Sequence, residues 1–456
     1  MKKYEGPLAR FAAIILCVSL LLPLAACGAA SSPAPSGSTA AQAAALKKLL
    51  AEAPKAVGEG LSIAKFTDGD EYQKWAEEYE PQLELASSLS GRALSYYSAL
   101  MKQLLASDDE NTVCSPLNTF FAFAMLAETA GGNSRRQLLD MLGAESIEEL
   151  EETFSALWDA NSQKTPLITS LLADSLWLKD SENFNEETLR KLAEQYHASS
   201  FRGTPGSEEM DKALQDWTNE ATGGLLEEYV KDLRLDPDTV LAILSALYFK
   251  AEWAEPFKEE QTAPQTFRGT KGDTTVRMMQ KDLNGYLLSD HFTGVALPLI
   301  QGGGMYCFLP DEGTDVNALL DDPDVFKAVS DPDSPLWVSA DARLFLPRFR
   351  VQAKADLIPV MEALGATDVL DSAKADFSPL MPDSAGLFVG KAEHAAAVEI
   401  DENGLTGAAY TLIMLYKGIA VPKERIDIVF DRPFLFVVTA ADGSIIFAGA
   451  VRNIAE

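Results

Sequence analysis

Val398 to Val421 reads VEIDENGLTGAAYTLIMLYKGIAV. It opens on an acidic, turn-forming run, Asp401-Glu402-Asn403-Gly404, and then carries neither proline nor charge from Leu405 to Tyr416. At period two, one face is Leu405, Gly407, Ala409, Thr411, Ile413 and Leu415. The other is Thr406, Ala408, Tyr410, Leu412, Met414 and Tyr416. The first face is apolar or small, so it can be buried. A proline-free segment of this kind can enter a sheet as a central strand, because each residue keeps the N–H that a ladder needs. Its run of small residues makes it a poor strand on its own.

The whole chain has 456 residues, enough for one large domain or two to three ordinary ones, and 47% hydrophobic residues suffice for a core. A net charge of −30 argues against nucleic acid and against a polybasic membrane surface. The N-terminus reads as a processing segment over residues 1–26. Lys2, Lys3 and Arg10 form a charged start, Phe11 to Leu22 an apolar run, and Leu24-Ala25-Ala26-Cys27 resembles a bacterial lipobox. Lipobox signals are cut before the cysteine, whose thiol is lipidated. A plain secretory signal or a short transmembrane helix are the alternatives, but the apolar run is short for a span. The expected address is therefore the bacterial cell surface, with the exported chain anchored as a lipoprotein through Cys27. Of the other cysteines, Cys17 leaves with the signal, and Cys114 and Cys307 lie in apolar runs with no metal-binding spacing. Buried free thiols are expected there rather than a disulfide.

Residues 27–45 hold Cys27 and the uncharged Ala/Ser/Pro/Gly-rich Gly28 to Ala45, a flexible tether. Residues 46–84 are acidic and helical in pattern, an extension of uncertain structure. Ser87 to Leu105 has helical spacing, and Ser115-Pro116 suits an N-cap followed by proline in the first turn. Leu167 to Leu178 and Val240 to Phe257 read as long buried strands. Gly294 to Pro310 reads as a hairpin around Gly302-Gly303-Gly304, and Phe434 to Val451 as another turning at Asp442-Gly443. Strands and helices mix without a βαβ period or an internal repeat, which is an α+β pattern.

VEIDENGLTGAAYT resembles the hinge of the serpins, and IVFDRPFLFVV (Ile428 to Val438) resembles their C-terminal signature at nearly every position. The resemblance extends over residues 85–456. Asn111 to Leu126 is similar to the family's Asn-x-x-x-Ser-Pro entry to a helix, and Trp217 to Leu226 to its Trp-x-x-x-x-Thr-x-Gly helix end. Phe249, Lys250, Ala251, Trp253 and Phe257 resemble Phe-Lys-Gly-x-Trp-x-x-x-Phe. Leu346-Pro347-Arg348-Phe349 resembles a strand preceding a helix.

The resemblance implies a serpin fold: three β-sheets, eight or nine helices and an exposed reactive-centre loop. It implies a monomer that uses no cofactor or metal and is no enzyme. Its partner would be a serine protease, held in a covalent complex. The hinge would be Glu402, Gly404, Leu405, Thr406, Gly407, Ala408 and Ala409. The breach and shutter around the main sheet would be Trp253, Arg348, Ser115, Asn118, Ser245 and His394, with Arg348 and Glu402 as a clamp. This chain departs from the family at Ser245 (usually Asn), Asn118 (usually Ser), Ala395 (usually Lys), Leu405 (usually a small hydroxyl residue) and Gly407 (usually Ala). Counting from Glu402 puts the reactive bond at Gly418–Ile419, which suits elastase-like proteases with shallow apolar pockets. Lys417, which would attract trypsin-like enzymes, and Ala420 or Val421 are the alternatives, and counting back from the signature lands near Pro422.

Only His197, His291 and His394 are available for histidine chemistry, and no Gly-x-Ser-x-Gly, His-Glu-x-x-His, Cys-x-x-Cys or P-loop occurs. A histidine-dependent hydrolase is thereby disfavoured. Two further readings remain: a non-inhibitory serpin, and a solute-binding lipoprotein. The second shares the lipobox and tether but not the hinge or the signature.

Overall fold

The computed structural model describes residues 47–50, 56–61, 69–300, 302–331, 334–405 and 425–454. The signal, Cys27 and its tether lie outside these. So do Thr406, Gly407, Ala408 and Ala409 of the hinge, and Lys417, Gly418, Ile419, Ala420 and Val421 around the reactive bond.

The chain starts with β1 (Lys47–Leu50), α1 (Gly69–Leu89) and α2 (Leu94–Leu105). β2 (Thr112–Cys114) leads into α3 (Pro116–Thr129), α4 (Gly132–Leu142) and α5 (Ile147–Asn161). Then come β3 (Gln163–Lys164), β4 (Ile168–Lys179), α6 (Glu186–Glu194) and β5 (Ala198–Gly203). α7 (Glu208–Ala221), α8 (Glu227–Val230) and β6 (Leu241–Glu252) follow. The middle holds β7 (Ala263–Gly269), β8 (Gly272–Leu288), β9 (Phe292–Pro298), β10 (Gly304–Pro310), α9 (Pro323–Ser330) and β11 (Trp337–Pro347). Last are β12 (Phe349–Asp356), α10 (Ile358–Ala363), β13 (Glu393–Ile400), β14 (Gly404–Leu405), β15 (Ile426–Val429), β16 (Phe434–Thr439) and β17 (Ile445–Val451).

The first sheet runs β1-β5-β4-β6-β14-β13-β12, with β3 beside β4. The remaining strands run β15-β11-β8-β9-β10-β16-β17-β2, with β7 beside β8. β8 is 17 residues long and pairs with β7, β11 and β9, so the second and third sheets share a strand and their ladders are continuous. The described residues hold ten α-helices rather than eight or nine, one of them the four-residue α8.

The N-terminal helix also differs from its expected span. Ser87 to Leu105 is broken by a tight 3-10 turn at Ser90–Ala93, where the Ser90 hydroxyl donates to the Asp442 carbonyl at 3.0 Å. The expected domain boundary near residue 85 falls inside α1, whose Trp75 and Tyr79 are buried in a small cluster of their own beside Leu167. Tyr79 accepts a hydrogen bond from the Gln163 side chain, so this helix is fastened to the domain.

α3 is buried almost all round because it lies under the first sheet. Leu117, Phe120, Phe121 and Ala124 join Leu172 and Leu176 of β4 in one core. A second core, with Trp253, Phe434 and Phe436, fills the space between the sheets. Cys114 and Cys307 are buried free thiols.

Candidate functional site

β13 ends at Ile400, and a side-chain turn reverses the chain. Asp401 Oδ1 accepts from the N–H groups of Asn403 (2.8 Å) and Gly404 (3.1 Å). Gly404 and Leu405 then enter the sheet as β14. They lie antiparallel to β6 with Gly404 opposite Glu252 and Leu405 opposite Ala251, and Leu405 lies opposite Ile400 on the other side. A Cβ on Gly404 would stand 2.2 Å from the Ala251 carbonyl oxygen, so only glycine fits this entry.

The turn is held from three directions. The Trp253 backbone N–H donates to the Asn403 carbonyl (2.9 Å) and its indole N–H to the Asp401 carbonyl (2.9 Å). The Phe257 N–H donates to the Glu402 carbonyl (2.9 Å). The Glu402 side chain, 1% exposed, accepts from Arg348 and from the Thr262 hydroxyl. Burial alone would raise its carboxyl, but the hydrogen bonds from Arg348 and Thr262 outweigh it and hold the group below the usual carboxylate range. Such a group contributes stability above the unfolded carboxylate range and loses it as pH falls through the folded value. Arg348→Ala should therefore lower the unfolding free energy of the intact protein at pH 7 by about 1–3 kcal/mol, by stranding a buried carboxylate. Urea midpoints measure this. The deficit should shrink in acid, where a protonated Glu402 no longer needs the cation.

Below this entry the sheet is parted. Among the described residues β6 and β13 share no ladder of their own, and β14 is what joins them. A cavity of about 210 Å³ lies along the gap, lined by Ser245, Leu247, His394 and Ala396 with Trp217 and Leu226. Beneath it, the N-terminus of α3 carries a polar cluster. Ser115 caps the helix, its hydroxyl accepting from the Asn118 N–H at 3.4 Å. The Ser115 N–H donates to His394 Nε2 (2.9 Å), and Asn118 Nδ2 donates to Ser245 Oγ (2.8 Å). Residues from α3, β6 and β13 thus meet on both sides of the gap.

His394 accepts at Nε2, so its imidazole is neutral with the proton on Nδ1. Burial pushes its pKa down to about 4. The unfolded chain takes up this proton near pH 6.5, so the contribution is complete above that value and is lost between there and about 4. His394→Gln should lack this segment of the acid-induced loss, about 3 kcal/mol in the parent. Unfolding midpoints of the two proteins at pH 7 and pH 4.5 test it, and parallel acid profiles would contradict it.

Asp401, read in the sequence as part of the turning run, makes the turn with its own side chain. Two site residues escaped the sequence reading. Asp174 is a lone acid in a buried apolar strand, itself a readable signal. It is 2% exposed opposite Ser245, and neither carboxyl oxygen has a partner with hydrogen-bond geometry among the described residues. Burial raises it well above the usual carboxylate range, and the Ser245 hydroxyl offsets only part of this. Thr262 carries no local signal, because its contact with Glu402 spans 140 residues.

The first sheet is thus parted around the two-residue strand β14, which stands between β6 and β13. The chain belongs to the serpin family, described as Serpin (serine protease inhibitor), which matches residues 93–454. An alpha-1-antitrypsin-like protein of Tamias sibiricus is 28% identical over 416 residues, covering 89% of this chain and 97% of that protein. Neuroserpin of Mus musculus is 28% identical over 377 residues, covering 76% and 87%. Among solved structures, the thermophilic serpin tengpin in its native state superposes with a TM-score of 0.72 at 21% identity, covering 90% of this chain and all of that one. Thyroxine-binding globulin in complex with thyroxine superposes at 0.67 and 21% identity, covering 82% of this chain. Serpins are generally protease inhibitors rather than catalytic enzymes.

Proposed function

We propose that this chain is an inhibitory serpin acting as a suicide substrate, probing for elastase-like proteases from a bacterial cell surface to which Cys27 anchors it as a lipoprotein. One observation carries the reading: Gly404 and Leu405 already occupy the strand position between β6 and β13. Continued in the same register, Gly407 meets Phe249 and Ala409 meets Leu247. Thr411, the polar residue of the inward face, meets Ser245 on one side and His394 on the other. Small residues thus fall on bulky ones and the hydroxyl falls on the polar cluster.

The protease serine Oγ attacks the Gly418 carbonyl carbon. The bond to Ile419 breaks, its amine leaves with a proton, and Gly418 remains as an ester. Insertion of the freed segment then carries the ester away before water reaches it. Each inward side chain buried contributes about 1.5–3 kcal/mol and each ladder bond about 0.5–1.5 kcal/mol net. The intact form is then kinetically trapped rather than most stable.

Titration with elastase, followed by denaturing gels and mass spectrometry of the released peptide, tests the reading: an inhibitor gives an SDS-resistant complex. Lys417→Ala maps the bond. Elastase inhibition should persist in this variant, and any trypsin inhibition should vanish if Lys417 is the specificity residue. Loss of elastase inhibition, or a cut outside Lys417 to Pro422, would overturn the assignment of Gly418–Ile419.

A further inference from the structure

The ladder registers at the outer edge of the first sheet show which way the N-terminal segment runs. Lys47 lies opposite Arg202 and Leu50 opposite Ser200. On β4, Arg202 is level with Leu178 and Ser200 with Leu176. Farther along the chain, Val57 bridges to Gln163, which is level with Ser170 of β4. Ile168, near Ser170, lies opposite Ala251, whose other neighbour is Leu405 of the hinge. The chain therefore enters the sheet at the pole where β4 ends and β6 begins, and climbs toward the pole where the hinge enters.

We infer that the N-terminal tether leaves the domain at the pole opposite the hinge entry, the same pole to which insertion carries the acylated protease, so that tether length limits trapping at a membrane. This rests on the proposed anchoring and insertion. In the continued register Leu415 meets Leu241, the first residue of β6, so Gly418 and its ester pass beyond the end of the sheet. Before attack the hinge entry lies at the pole away from the tether. After insertion the protease must fit between the domain and the membrane.

The surface at this pole carries both signs of charge, with Lys47, Lys48, Lys179 and Arg202 on the same strand ends. Asp180, Glu208, Glu209, Asp236 and Asp238 are exposed around the ends of β4 and β5 and the start of β6. Distance from the membrane is set by Gly28 to Leu46, the residues between Cys27 and β1. That stretch reaches at most about 65 Å. A serine protease of about 240 residues is roughly 45 Å across. The reach of the tether exceeds this width, and a tether reaching less than about 45 Å does not clear it.

The test uses the mature chain from Cys27, coupled through that thiol to a maleimide lipid in phosphatidylcholine vesicles. Cys114 and Cys307 are buried and are spared. A second version lacks Ser31 to Gln42, leaving seven residues between Cys27 and Lys47, a reach of about 25 Å. Pancreatic elastase is added to each version, free and on vesicles, and the ratio of covalent complex to cleaved chain is read from denaturing gels. Free in solution, both versions should give the same ratio. On vesicles the long tether should keep it, while the short one should lower it about tenfold with the total rate of loop cleavage unchanged. An equal ratio for the short tether on vesicles and in solution would overturn the inference. A loss of cleavage itself on vesicles would do so too, by putting the loop on the membrane side. If neither free version forms a complex, the insertion reading fails and this inference falls with it.

Discussion

Ala409→Arg is expected to abolish the covalent complex and turn the protein into a substrate, cut in the loop and released. The reason lies in the register begun by β14. Continued from Gly404 opposite Glu252 and Leu405 opposite Ile400, Ala409 points under the sheet between Leu247 and Ala396. Leu247 packs against the core and Ala396 is 3% exposed. An arginine there would bury an uncompensated charge in apolar surroundings, at a cost of several kcal/mol or more. Insertion would stall after the first few residues. Attack on the loop does not require insertion, so cleavage should proceed at the parental rate while the acyl-enzyme hydrolyses. The measurement is the partition between complex and cleaved product. A variant that traps protease with the parental stoichiometry would exclude insertion along this register. Leu405 and Gly407 fit the same scheme: each is compatible with a buried face, and Gly407 faces Phe249 in the continued register.

The cleaved form is expected to melt more than about 10 °C above the intact form, because a central strand has been added to the first sheet. In the intact chain β6 and β13 are joined only by two residues of β14 among those described, and a cavity of about 210 Å³ lies between them. Filling that gap satisfies backbone groups on both flanking strands and covers Ser245 and His394 with the Thr411 hydroxyl. Thermal unfolding of intact protein and of protein cut in the loop by a non-target protease measures the difference. Equal melting temperatures would mean that the freed segment stays outside the sheet.

The turn at the start of the hinge and the C-terminal signature were legible because both are short stretches whose side-chain order is demanded locally. Asp401 to Gly404 must turn, and the signature must supply the end of β15 and most of the buried β16 on either side of Asp431-Arg432-Pro433. The long apolar strands were legible for the same reason: Ile168 to Lys179 and Leu241 to Glu252 are each continuous runs that can be buried. The α+β class followed from their mixture with helices. The break in the N-terminal helix was not legible. Periodicity is intact from Ser87 to Leu105, and the break is placed by Ser90 meeting Asp442, 352 residues away.

The same division holds at the site. The sequence by itself determined that an acid, a glycine and a charge-free segment follow one another at Glu402 to Tyr416, since those residue types sit in one stretch. Only the tertiary structure decided that Arg348 and Thr262 hold Glu402, and that Ser115 and Asn118 reach His394 and Ser245. It also decided that β1 enters the sheet at the far pole. These are contacts between segments distant in the chain, chosen by which strands the folded core brings side by side. A linear pattern records what each segment can bury, and the packing of the whole chain decides against what.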